Sequence, residues 1–293
     1  MPRIAIVGPG AVGSVIAAHL HVSGRHEIIL CSRRAIHELR VQTVDSVVSF
    51  VPRVLTDPAQ SIPVDWVLVT TKAYDAAGAA AWINPLCANG APAAILQNGV
   101  EHRERFAGHV TKADLVPVVV DCPAERSASL EVRQRGPARL TVFDDMRGRA
   151  FAGLFEHTPV LVNTTQDFVT AAWRKLCLNA PGIICALLRQ PSRVMRDEDI
   201  AMLARAMIWE CLRVGLAEGA ALPDDLPESI VESYRAAAGD SVNSLHADVL
   251  AGRPTEVDAR NGAIVRFGRK HQIATPINAM AVALLNAMCR VRL

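Results

Sequence analysis

Short apolar runs alternate with helix-period stretches through the first half of the chain. Arg3 to Val7 (RIAIV), Glu27 to Cys31 (EIILC), Trp66 to Thr70 (WVLVT), Ala93 to Leu96 (AAIL) and Leu115 to Val120 (LVPVVV) are continuous runs rich in branched aliphatic residues. Such runs, apolar on both sides and separated by helical segments such as Ala11 to Val22, predict parallel strands buried on both faces of a sheet. Between Cys31 and Trp66 the pattern reads as irregular. Leu130 to Val132 and Arg139 to Phe143 read as a hairpin around Gly136-Pro137, with Val160 to Val162 as the last strand of this half.

From about Asn163 the period changes. Asp167 to Leu188, Asp197 to Ala220, Pro227 to Ala238, Glu256 to His271 and Pro276 to Arg290 all carry apolar residues at helical spacing. Thr255-Glu256 and Thr275-Pro276 are helix starts, a hydroxyl cap followed by an acid or a proline. Two domains are expected: an α/β domain over 1–164 and an all-helical domain over 165–293, with a ligand cleft between them.

Composition narrows the class of protein. The 293 residues are 51 % hydrophobic and 20 % charged, enough to bury a sizeable core and unlike a disordered chain. A net charge of +2 with 4 % aromatic residues gives neither the basic excess nor the stacking platforms of a nucleic-acid binder. Seven cysteines without a C-x-x-C pair match no zinc signature and predict reduced thiols in a cytoplasmic protein. The nine histidines show no metal-ligand spacing, so no metal is expected. Gly8, Pro9, Gly10 and Gly13 interrupt the apolar N-terminus, which argues against a secretory leader. Every long apolar stretch carries charge, proline or turn signals, so no membrane span is expected.

Gly8-Pro9-Gly10-Ala11-Val12-Gly13 is G-x-G-x-x-G placed between a strand and a helix. One glycine makes the turn, one lets backbone approach a pyrophosphate and one packs helix on strand, while the helix N-terminus meets the negative charge. The first half is therefore a Rossmann-type dinucleotide-binding domain. Where an NAD site places an acid after the second strand, this chain has Ser32-Arg33-Arg34, which suits the 2′-phosphate of NADP(H). Lys72 and Asn98 follow the strands WVLVT and AAIL at the ligand-binding edge of such a sheet, although spacing alone equally allows a helix-start lysine and a turn asparagine. Lys175 and Asn179 lie four apart, on one helix face.

In their order along the chain, the fingerprint, VTTKAY, LQNGV, WRKLCLN, SLHADVLAGRPTEVDARNG and ATPIN resemble the ketopantoate reductase family (2-dehydropantoate 2-reductase). The resemblance implies NADPH-dependent reduction of the C2 ketone of 2-dehydropantoate to pantoate, serving pantothenate and coenzyme A synthesis. It makes Lys175 the general acid, with Glu256 at the active-site edge. It assigns Asn98, Lys175, Asn179 and Ser244 to the substrate. Gly8 to Gly13, Arg33, Lys72, Asn98 and Cys122 go to the cofactor. His246 and Asp248 are read as structural residues, with the alternative that His246 faces substrate. The partners implied are a small 2-oxo acid and a second copy of the chain in a homodimer, with no nucleic acid and no membrane. Two departures bear on substrate. Ile183 stands where the family commonly has a second asparagine, and Ser241 where some members have another; Pro181 should also kink the helix. Two further readings stay open: a related NADP-dependent enzyme acting on another 2-oxo or 2-hydroxy acid, and a non-catalytic NADP-binding sensor.

Overall fold

The computed structural model describes residues 1–111, 113–126 and 131–290. Its contacts divide the chain into two compact units, Met1–Gln97 with His102–Phe168, and Asn98–Glu101 with Val169–Leu293.

The first unit begins β1 (Arg3–Val7), α1 (Ala11–Val22), β2 (Glu27–Cys31), β3 (Leu39–Gln42), β4 (Val47–Phe50), β5 (Arg53–Leu55), β6 (Trp66–Val69), α2 (Ala76–Leu86) and β7 (Ala93–Ile95). It continues with β8 (Leu115–Pro117), β9 (Val119–Asp121), β10 (Ala124–Arg126), β11 (Val132–Gln134), β12 (Arg139–Phe143), α3 (Met146–Gly153) and β13 (Leu161–Thr165). Six parallel strands in the order β5-β2-β1-β6-β7-β8 form the main sheet. Its strands are apolar along both faces because both are covered. On one face Ile4, Ile6 and Leu68 pack with Val15, Ile16 and Leu20 of α1; on the other Ala5, Val67 and Val69 pack with Ala79, Trp82 and Ile83 of α2. Strand β1 lies between β2 and β6, so the loop leaving β1 opens where successive connections diverge, the place such sheets hold ligands.

Two further sheets correct the sequence reading. The stretch read as irregular supplies β3, β4 and β5. The expected hairpin does not form: β11 joins the sheet β10-β11-β3-β4, whereas β12 joins β13-β12-β9. Strand β11 instead pairs antiparallel with β10 and parallel with β3, and Leu130 lies outside the described residues. The run Leu115 to Val120 divides into β8 and β9, which enter different sheets.

The second unit holds α4 (Phe168–Asn179), α5 (Gly182–Leu188), α6 (Glu198–Ala217), α7 (Leu226–Ala236), α8 (Ser244–Leu250), a π-helical turn (Asp258–Gly262), α9 (Ala263–Lys270) and α10 (Pro276–Arg290). Sequence reasoning gives one helix from 167 to 188. The structure breaks it at Ala180-Pro181, because Pro181 has no N–H to donate to the preceding turn. The stretch Phe168–Leu188 has the length and apolar content of a membrane-crossing helix, yet more than half of its apolar window is buried in the protein. Leu176, Cys177, Ile183, Ile184, Met207, Ile208, Cys211 and Leu285 form the core.

Candidate functional site

The fingerprint loop shows what each glycine is for. Gly8 has φ +82°, and a Cβ there would lie 2.5 Å from Thr71 Cγ2; a Cβ on Gly13 would lie 2.3 Å from Thr70 Oγ1. Both glycines are required by the fold itself. Gly10 differs. Its φ is −74°, open to any residue, and an added Cβ would meet nothing nearer than the Gly8 carbonyl at 3.8 Å. Neither backbone nor packing demands glycine at this position, which leaves room for a ligand to approach the backbone. No side chain caps the first turn of α1, so its amides can meet a phosphate. The Pro9 carbonyl accepts from Ser14 Oγ at 3.2 Å and from Arg126 Nη2 at 2.6 Å, which fixes the loop.

Arg33 and Arg34 are exposed just beyond β2, and half-buried Lys72 follows β6, so both flank the loop on neighbouring strands. Cys122 follows β9 rather than a strand of the main sheet and packs, partly buried, against the core of its unit. These residues fit a dinucleotide, with the loop amides for its pyrophosphate and basic side chains at the ends of the two strands that flank β1.

In the second unit three of the expected residues meet. Asn179 Nδ2 donates to Asn98 Oδ1 at 3.4 Å, and Asn98 Nδ2 donates to Glu256 Oε2 at 3.3 Å. Glu256 is buried, while Asn98, Asn179 and Lys175 are half-buried. Lys175 stands one turn before Asn179 on α4, on the same face. Two side-chain amides thus meet a buried carboxylate, and Lys175 leaves the same face of α4 one turn earlier, a set suited to orienting a ketone and delivering a proton.

Asn98 reaches this cluster because its loop is held there. Gly99, at φ +112°, lies so close to the π-helical turn that a Cβ would come within 2.7 Å of the Ala259 carbonyl. Arg266 grips Glu101 through two hydrogen bonds of 2.9 and 2.5 Å, and also takes Asp258 Oδ1 at 2.5 Å and its carbonyl at 2.8 Å. In the first unit, the residues flanking the segment are joined: His102 Nε2 lies 3.0 Å from the Gln97 carbonyl. Burial pushes the His102 imidazole down to about 4, so it is neutral, and a carbonyl partner requires Nε2 to carry the proton. Sequence reasoning missed Gly99, Glu101, Arg266 and His102; only Gly99, following an asparagine, carried a turn signal.

Ser244 does not share a hydrogen bond with this relay among the bonds described. It opens α8 and is exposed. Asn243 caps that helix, accepting from the His246 amide at 3.0 Å and donating through Nδ2 to the Gly182 carbonyl at 3.1 Å. Ile183 is fully buried in the core, so that position presents no polar group, and Ser241 is exposed.

A parallel sheet with a glycine loop open to a dinucleotide, followed by a helical unit with a polar cluster, is the architecture of a dinucleotide-binding enzyme. Comparison with known proteins gives the family. Residues 4–147 match the model described as Ketopantoate reductase PanE/ApbA, and residues 167–289 match its C-terminal counterpart. A 2-dehydropantoate 2-reductase of Caulobacter vibrioides is 50 % identical over 287 residues, 98 % of this chain and 99 % of that one. A 2-dehydropantoate 2-reductase of Mycobacterium tuberculosis is 42 % identical over 97 % of each chain. The crystal structure of a PanE/ApbA family ketopantoate reductase from Ralstonia eutropha JMP134 superposes with a TM-score of 0.90 over 99 % of both chains, at 29 % identity. The chain belongs to the ketopantoate reductase family and is an oxidoreductase.

Proposed function

We propose that the protein reduces 2-dehydropantoate to pantoate with NADPH, the step its relatives' name describes, in the service of pantothenate and coenzyme A synthesis. The observation that carries this reading is the Asn179–Asn98–Glu256 relay beside Lys175. When bound, the reduced nicotinamide supplies hydride to the C2 ketone. The chain's own groups do the rest. Lys175 Nζ gives its proton to the ketone oxygen as negative charge develops there, and its charge stabilises that oxygen. Glu256 holds the Asn98 amide in place through its carboxylate. Asn98 and Asn179, with their amides already oriented by one another, hold the ketone and hydroxyl, and Ser244 takes the carboxylate end. Gly8 to Gly13 hold the pyrophosphate, Arg33 binds the 2′-phosphate, and Lys72 and Cys122 lie along the cofactor.

The test is turnover by purified protein, followed through the absorbance of the reduced nicotinamide, with 2-dehydropantoate beside a panel of 2-oxo acids. The expected result is the highest kcat/KM for 2-dehydropantoate with NADPH, a much poorer rate with NADH, and loss of turnover in Lys175→Ala. Arg33→Met should erase about 10-fold or more of the NADPH preference, the worth of a charge-assisted phosphate contact. Buried Ile183 favours one competing reading, another 2-oxo acid, and turnover confined to a different member of the panel would establish it. NADPH binding without turnover of any acid would leave a sensor.

A further inference from the structure

A helix that stops inside a protein leaves backbone carbonyls without intrahelical donors, and each needs a partner. Helix α4 stops because Pro181 cannot continue it, one turn beyond Lys175 and directly at Asn179. Its last carbonyls are taken by side chains from separate places in the second unit. Tyr234 Oη, on α7, donates to the Leu178 carbonyl at 3.0 Å. Arg260 Nη2 donates to the Asn179 carbonyl, and Asn261 Nδ2 donates to the Ala180 carbonyl at 3.1 Å. Three consecutive carbonyls are thus held by three side chains.

The cap is itself braced. Asn261 Nδ2 also donates to Asn278 Oδ1 at 2.9 Å, and Asn278 Nδ2 donates to Glu210 Oε2 at 2.7 Å. The buried Glu210 carboxylate in turn accepts the Ile277 and Asn278 amides at 2.9 Å each, closing the start of α10. Arg260 is 2 % exposed. Burial opposes its charge, while Tyr234, Glu256 and Asp248 favour it. A cation at this end of α4 also complements the negative pole of the helix. Arg260 and Asn261 sit on the π-helical turn, whose extra residue points two successive side chains at two successive carbonyls.

We propose that Tyr234, Arg260 and Asn261 are positioning residues for the reduction, fixing the end of α4 so that Asn179 and Lys175 keep their direction toward the substrate. This rests on the function proposed above. A displacement of about 1 Å at a reacting group can cost on the order of 100-fold in rate, so a cap that only holds backbone can govern turnover.

The experiment compares Tyr234→Phe, Arg260→Met and Arg260→Lys with Leu285→Val, which thins the same core away from the cap. Four quantities are read for each: kcat and KM for 2-dehydropantoate, KM for NADPH, Tm, and exchange of the Ala180 amide, which donates to the Leu176 carbonyl at 2.9 Å. Tyr234→Phe and Arg260→Met should lower kcat/KM for the 2-oxo acid about 10-fold or more, with the NADPH KM unchanged. Ala180 exchange should quicken about 10-fold in these variants. Arg260→Lys should recover part of both losses. Leu285→Val should lower Tm without changing kcat/KM per folded molecule. Cap variants whose kcat/KM is unchanged, or falls only in step with Tm as in Leu285→Val, would overturn the proposal. If the wild type reduces no 2-oxo acid, the proposed reaction has failed. Ala180 exchange still judges the cap in that event, and exchange no faster in Arg260→Met than in Leu285→Val would overturn it.

Discussion

Asn98 and Asn179 stand 81 positions apart and share one hydrogen bond, from Nδ2 of Asn179 to Oδ1 of Asn98. That bond settles which way the Asn98 amide faces. With its oxygen occupied, its Nδ2 points to Glu256, and a buried carboxylate gains a donor. An amide suits this place because it accepts on one side and donates on the other.

Asn98→Ala removes both functions, and kcat/KM for the 2-oxo acid is expected to fall about 100-fold, the usual cost of one preorganised donor. Asn98→Asp has the same shape but sets a second carboxylate against Glu256, so it should fall at least as far. Steady-state rates on both variants check this, and rates within about threefold of wild type would remove the relay from the chemistry.

The fingerprint glycines should separate under mutation. Gly10→Ala should fold with an unchanged Tm and raise the KM for the dinucleotide by about 10-fold or more, since the methyl group meets ligand rather than protein. Gly8→Ala must place a side chain at φ +82° against Thr71 and should lose about 1–3 kcal/mol of stability. Thermal melts and coenzyme titrations of the pair decide it; equal melting losses would refute the distinction.

Acid should weaken the protein through His102. Its folded-state value of about 4 lies below the ordinary histidine value of about 6.5. Between the two, the unfolded chain binds a proton that the folded chain does not. The stability from this site is therefore fully present above about pH 6.5 and is lost as pH falls toward 4, by about 3 kcal/mol in total. Urea midpoints across this range should fall more steeply for wild type than for His102→Gln, and parallel slopes would contradict the assignment.

Arg266 ties the Asn98 loop to the π-helical turn, but its side chain is 39 % exposed. Arg266→Ala should cost only about 1 kcal/mol of stability, because solvent screens the pair. Its larger effect should fall on kcat/KM, through Asn98, and high salt should reproduce part of that loss in wild type. A variant that loses stability but no rate would show that the tether does not reach the chemistry.

What the chain revealed before its structure follows the range of the forces involved. The β1–α1–β2 unit was legible because strand, glycine turn and helix are encoded within about thirty consecutive residues, as was the helical texture after Asn163, while Pro181 was read as a kink where the structure has a break. Strands β3, β4 and β5 were not, because three or four residues form a strand only when partners arrive: β5 joins β2 from some twenty positions back, and β3, besides turning into β4, pairs with β11 roughly ninety positions on. The false hairpin has the same cause, since Gly136-Pro137 is a sound turn signal and only the two separate sheets overrule it. Within the candidate site, Lys72, Asn98, Lys175 and Glu256 stood out through motifs. Arg260 and Asn261 lie within one of those motifs yet carried no assigned role, and Tyr234 lies in none, because a side chain that serves another segment's carbonyl leaves no local pattern.

The segment Asn98–Glu101 belongs by contact to a unit from which it is separated in sequence by some seventy residues. Recombination among relatives meets this as a bookkeeping problem of inheritance. A crossover near residue 168 hands the offspring a helical unit from one parent and the asparagine loop from the other. Gly99 must then fit a foreign Ala259 backbone, and Glu101 a foreign arginine. A viable chimaera is therefore expected to need two further junctions around residues 98 and 101, so that these four residues come from the parent that supplies the helices.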